Sequence, residues 1–165
     1  MDKIRIVFFD IDGTLIDMER KEISAKTLEA LRRLKERNVI LCLATGRGPL
    51  TLPHFDGVEF DAFLTFNGSY CFNRTQTIFS NPLLIPANGG KGVGIQQILS
   101  HYHLEPSSAL AFGDGDNDIE MLQAVGHGVA MGNASERLKA LASDICGPVA
   151  QDGVYHYCLA HNLLG

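Results

Sequence analysis

Short apolar runs that each stop at a cluster of carboxylate, hydroxyl or glycine residues recur along this chain, and that repeat constrains the fold more than any other feature. Residues 4–9 (IRIVFF) end at Asp10, Asp12 and Gly13, and residues 39–44 end at Thr45, Gly46 and Arg47. Residues 62–66 close on Asn67 and Gly68, and residues 109–112 run into a loop, 113–118, dense in carboxylates. Runs of branched and aromatic residues without a polar stripe read as strands covered on both faces, which points to a parallel sheet. Between them lie segments with helical spacing. Ser24 caps one that carries Leu28, Leu31 and Leu34; others carry Ile95, Ile98 and Leu99, then Ile119, Met121, Leu122 and Val125, then Leu138 and Leu141. Residues 127–131 and a short piece near Ile145 add strands, and a final helix begins at about Val154. Strands alternating with helices predict an α/β fold, a three-layer doubly wound parallel sheet with helices on both faces. Residues 69–72 and 76–79 flank Asn73, Arg74 and Thr75 and predict a small β-hairpin with a three-residue loop.

Composition narrows the partner. A chain of 165 residues has room for one ordinary domain, here residues 1–165. With 45% hydrophobic and 20% charged residues it reads as globular, and a net charge of −5 argues against nucleic acid and against an anionic membrane surface. A small molecule is the expected partner, with the choice between monomer and homo-oligomer open. Cys42, Cys71, Cys146 and Cys158 form no CxxC pair, and the N-terminal residues lack the pattern of a signal peptide, so a reduced, cytoplasmic setting is expected. The basic run Arg32, Arg33, Lys35 and Arg37 reads as a solvated helix end.

In an open parallel sheet, ligands bind beyond the carboxyl ends of the strands. Those ends carry Asp10 and Asp12, Thr45 and Arg47, Asn67, and then Asp114, Asp116, Asn117 and Asp118. So many carboxylates at one edge repel one another unless a hard divalent cation joins them, and Mg²⁺ is the natural candidate. Lys91, Thr45 and neighbouring backbone N–H groups then suit the oxygens of a phosphoryl group.

The segments Asp10-Ile11-Asp12-Gly13-Thr14, Ala44-Thr45-Gly46-Arg47, Lys91 opening a helix, and Gly113-Asp114-Gly115-Asp116-Asn117-Asp118 resemble, in order, the four motifs of the haloacid dehalogenase superfamily. Val129-Ala130-Met131-Gly132-Asn133-Ala134 and Asp152-Gly153-Val154 resemble the tail of its sugar-phosphatase-like (C2B-capped) branch. The resemblance implies a Mg²⁺-dependent phosphatase for small phosphomonoesters. Asp10 matches the nucleophile and Asp12 the general acid and base. Thr45 matches the hydroxyl on the transferring phosphoryl, and Lys91 the cation offsetting its charge. Asp114 matches a metal ligand beside Asp10 and the backbone carbonyl of Asp12, with Asp118 orienting metal-bound water or Lys91. Gly46, Arg47 and Asn117 complete the expected substrate contacts, Asn117 from a second layer. An acid at Asp12 separates the chain from dehalogenases of this family, and Ile11 separates it from pumps with lysine there. A phosphosugar mutase and a noncatalytic phosphate-binding or phosphoacceptor module stay open as alternatives.

Several residues have plainer readings. Asp116 suits a solvated turn, Asn67 and Gly68 a turn, and Arg47 fits a substrate phosphate and a salt bridge at the sheet edge equally well. The glycines around Lys91 do not make a Walker loop, because Gly92 stands where Ser or Thr is required, and the six histidines show no ligand spacing.

Relatives of this branch carry a cap domain between the third strand and the lysine helix. Here only residues 69–90 separate Gly68 from Lys91, and the hairpin takes half of them. An independent domain needs about 50 residues, so residues 80–90 read as a short connection in place of the cap. A naturally capless member and a cap deletion both fit, and the abrupt interruption favours deletion. An uncapped site implies low substrate selectivity.

Overall fold

The computed structural model describes residues 3–81 and 90–165. In chain order its elements are β1 (Ile6–Phe9), α1 (Ala25–Glu36), β2 (Ile40–Ala44), β3 (Ala62–Thr65), β4 (Tyr70–Asn73), β5 (Thr77–Ser80), α2 (Lys91–His101), β6 (Ala109–Gly113), α3 (Ile119–Gln123), β7 (His127–Ala130), α4 (Glu136–Leu141), β8 (Asp144–Ile145) and α5 (Gly153–Ala160). The strands form one sheet in the order β5-β4-β3-β2-β1-β6-β7-β8. All pairs from β3 through to β8 are parallel, while β4 and β5 add an antiparallel edge. The chain winds outward from β1 through β2 and β3, then crosses back to β6 on the other side of β1. That reversal sets the ends of β1, β2 and β6 side by side, the place where doubly wound sheets bind ligands.

The centre holds because β1 has no polar face: Ile6, Val7, Phe8 and Phe9 are all fully buried. Phe9 stacks on Phe112 of β6 with ring centroids 5.6 Å apart and meets Phe60 edge-on at 6.4 Å. Helices α1 and α5 pack together, as do α2 and α3, and α2 also lies against β3, β4 and β5. Ser24 caps α1 as its sequence suggests, its hydroxyl accepting the Thr27 N–H at 3.0 Å, and Leu31 and Leu34 turn into the core.

Two expectations change, and a third falls largely outside the described residues. The hairpin turn shifts by one residue: Asn73 ends β4, and its side-chain oxygen accepts N–H bonds from Thr75 and Gln76, both at 2.9 Å, so a local side-chain turn sets the register. The basic run at the end of α1 is not simply solvated. Lys35 sits 2.6 Å from Asp61, whose other oxygen accepts the Leu41 N–H, and Arg32 donates to the Asp56 carbonyl. Of the expected 80–90 connection, residues 82–89 lie outside the described residues, but its two flanks are visible. The Asn81 N–H donates to the Ser69 carbonyl at 2.8 Å, and a Cβ at Gly68 would fall 2.1 Å from the Gly90 carbonyl oxygen. All four cysteines are free thiols, three of them buried. No helix among the described residues is long and apolar enough to cross a membrane.

Candidate active site

The loops after β1, β2 and β6 enclose a cleft of about 430 Å³, lined by Asp10 and Asp12 from the first, Thr45, Gly46 and Arg47 from the second, and Asp114, Gly115 and Asn117 from the third. Two expected residues lie beneath it. Lys91, the first residue of α2, is fully buried, and its Nζ donates to Asp10 Oδ1 at 2.7 Å and to Asp118 Oδ1 at 2.5 Å. Asp118, also fully buried, uses its other oxygen to accept the N–H groups of Asp114 at 2.9 Å and Gly115 at 3.1 Å. The Asp118 side chain therefore holds the acidic loop and the lysine in place from below the cleft.

Carboxylate oxygens of Asp10, Asp114 and Asp118 lie within 4.8 Å of one another. Among the described residues a single ammonium, that of Lys91, faces these three acids. Burial, and the neighbouring Asp118 and Asp114 against the pull of Lys91, push the Asp10 carboxyl up to about 7. Burial and Asp118 push Asp114 up to about 6. Burial alone would lower the Lys91 ammonium, but Asp10 and Asp118 outweigh it and hold its proton more tightly than usual. A cluster of hard oxygens that is short of positive charge fits a hard divalent cation such as Mg²⁺. Thr14 steadies it, donating from Oγ1 to Asp114 Oδ1 at 3.2 Å.

The Asp12 side chain is not part of that cluster. Its two oxygens face Arg47, with Nε at 2.8 Å and Nη2 at 2.5 Å, while Arg47 Nη1 donates to the Thr51 carbonyl. Of the two readings of Arg47, the salt bridge is the one formed, and its partner is the expected acid and base residue. Any metal contact from Asp12 falls to its backbone. The Thr45 hydroxyl accepts the Arg47 N–H at 3.0 Å, which leaves its own hydrogen to donate. Asn117 donates to the Asn67 side chain at 3.3 Å, tying the wall of the cleft to the turn after β3. Asp116 accepts from the Ser135 hydroxyl at 2.5 Å and lies 3.7 Å from Arg137, a link to α4.

Sequence reasoning assigned no role to three supports. Thr14 is one. Asn133 is another, donating to the Gly13 carbonyl and accepting the Val149 N–H, both at 2.8 Å, so that it pins the loop of Asp10 to the C-terminal segment. Glu120 is the third: it accepts the Gly90 N–H at 2.7 Å and anchors the start of α2. Asn133 follows strand β7 at its carboxyl end, the same signal that marked the other loops.

A family model described as haloacid dehalogenase-like hydrolase matches residues 7–85 and 83–158. The putative phosphatase YkrA of Bacillus subtilis is 22% identical over 244 residues, spanning 91% of this chain and 95% of that protein. That alignment is longer than the 165 residues of this chain, so the relative carries a long stretch with no counterpart here. The HMP-PP phosphatase of Yersinia pestis is 38% identical over 90 residues, 53% of this chain and 32% of the enzyme. Among solved structures, that of the HAD subclass IIB sugar phosphatase BT4131 superposes with a TM-score of 0.90 at 21% identity, covering 97% of this chain and 100% of that one.

Proposed function

We propose, from the premise that the chain belongs to the haloacid dehalogenase-like hydrolase family, that it is a phosphatase cleaving small phosphomonoesters, sugar phosphates or similar metabolites, through Asp10. The observation that carries this reading is the buried triangle of Asp10, Lys91 and Asp118 at the foot of a cleft that also receives Asp12, Thr45 and Asp114.

In this reading the Asp10 carboxylate attacks phosphorus while the bond to the ester oxygen breaks, which gives an aspartyl-phosphate and the alcohol. Asp12 delivers a proton to the departing oxygen, then takes one from the water that cleaves the intermediate. Thr45 and the Gly46 N–H donate to the phosphoryl oxygens, and Lys91 sets the orientation of Asp10 and offsets charge from beneath. Asp10, Asp114 and the Asp12 carbonyl would hold Mg²⁺, with Asp118 behind them, and the ion when bound supplies positive charge to the phosphoryl oxygens. Arg47 acts on Asp12 rather than on substrate, and Asn117 braces the wall of the cleft. Residues 1–165 then serve as one catalytic core in which 80–90 replaces the cap of relatives, and the open cleft favours water over a second sugar as acceptor.

Phosphate release from a panel of small phosphomonoesters, with and without Mg²⁺, tests the reading. Turnover is expected to vanish with EDTA and to fall on the order of a thousandfold or more in Asp10→Asn. Equal release by wild type and Asp10→Asn would overturn it.

A further inference from the structure

Phe66 borders the loop that carries Gly46 and Arg47 of the cleft, in a backbone conformation that a bulky side chain rarely adopts. Its φ is 50°, followed by 52° at Asn67 and 97° at Gly68, three left-handed residues in succession. The surroundings hold them there. The Phe66 N–H donates to the Arg47 carbonyl and the Asn67 N–H to the Thr45 carbonyl, both at 3.0 Å. The Asn67 amide lies against Gly46 and receives the Asn117 side chain. Strain that neighbours over-determine in this way is concentrated at functional sites.

The result is a phenyl ring held outward. One side rests on Gly48, where a Cβ would fall 2.7 Å from the ring, yet the residue stays 49% exposed. Leu50, in the turn that follows Gly48, is fully exposed. Arg47, next to Gly48 in the chain, has its guanidinium already paired with Asp12, so an anionic leaving group meets no spare charge there. The ring therefore lies beside the loop that carries Arg47, the partner of the residue proposed to protonate the leaving group.

We propose that Phe66 is a specificity residue, a platform for the leaving group, so that the site prefers phosphomonoesters of alcohols bearing a planar unsaturated ring over acyclic alkyl esters of equal reactivity. This rests on the phosphatase reading and deepens it: the discrimination lost with the cap is in part supplied by the core itself.

Benzyl phosphate and methyl phosphate test it, because their alcohols are of similar acidity and differ in the ring. In wild type the kcat/KM ratio of benzyl to methyl is expected to exceed one. In Phe66→Ala and Phe66→Gly that ratio falls about two- to tenfold, the range of an aromatic contact, through a higher KM for benzyl phosphate alone. Phe66→Leu keeps part of the preference. The glycine variant is free of left-handed strain and so separates loss of the ring from damage to the turn. An unchanged ratio in Phe66→Gly, or equal losses on both esters, overturns the platform and leaves the phosphatase reading intact. Absence of Asp10-dependent turnover of either ester overturns both readings.

Discussion

Arg47 grips Asp12 through both carboxylate oxygens, at 2.8 and 2.5 Å, across 35 residues of sequence. Each side chain is about one-third exposed, so solvent screens the pair and its worth to folding is small. Its worth is geometric: a planar fork fixes the plane of the carboxylate as a lysine cannot.

Arg47→Ala is therefore expected to lower kcat on the order of tenfold with little change in melting temperature, and Arg47→Lys to recover only part. In an Asp12→Asn background, already slowed on the order of a hundredfold or more, adding Arg47→Ala is expected to change nothing further. Independent, multiplicative losses in the double variant would show that Arg47 acts on substrate instead.

Replacing Lys91 leaves Asp10 and Asp118 buried without their cation. Lys91→Met is expected to cost about 3–5 kcal/mol of stability at pH 8 in EDTA, measured by urea unfolding. The loss shrinks at pH 5.5, where Asp10 takes up a proton and needs the ammonium less. A variant as stable as wild type at pH 8 would contradict this account of the triangle.

Stability should also depend on pH in a direction opposite to that of a paired surface acid. Burial raises Asp10 to about 7 and Asp114 to about 6, both above the ordinary carboxylate value of 3.8. Between these values the folded chain keeps protons that the unfolded chain releases, so their contribution is fully present below the unfolded value and is lost as pH rises through 6 to 7. In EDTA the protein is expected to melt at a lower temperature at pH 8 than at pH 6. Mg²⁺ should raise the melting temperature more at pH 8, because there it meets carboxylates without competing protons. A midpoint in EDTA that climbs from pH 6 to pH 8 would refute this.

Gly13 admits no side chain: its φ is +87°, and a Cβ would lie 2.1 Å from Asp114 Oδ2. Gly13→Ala is expected to destabilise by about 1–3 kcal/mol and to abolish phosphate release, since the Asp114 carboxylate must move. Gly147→Ala is the comparison. There the nearest atom is the Gly153 Cα at 3.4 Å, and a change within about 1 kcal/mol is expected by denaturant unfolding.

The strand ends were legible because burial and chemistry both write locally. Residues 6–9 must be apolar to lie at the sheet centre, and Asp10 follows at once because the strand stops there. The motif residues Thr45, Asp114 and Lys91 come together for the same topological reason. Partnerships were not legible. Thr14 meets Asp114 across 100 residues and Asn133 meets Gly13 across 120, and neither pairing has a local signature in the chain. The basic end of α1 misled for a related reason: charge on a helix end suits the helix dipole, but Lys35 is held by Asp61, whose position depends on the approach to β3.

Asn81 and Gly90 are held at the same place in the fold. Both points sit on one turn, Asn81 bonded to Ser69 and Gly90 pressed against Gly68. Two points of the chain are thereby held within reach of the same pair of residues. A folded module whose own termini lie close together can be plugged in or withdrawn there, while β3 keeps its register and Lys91 keeps its place at the head of α2.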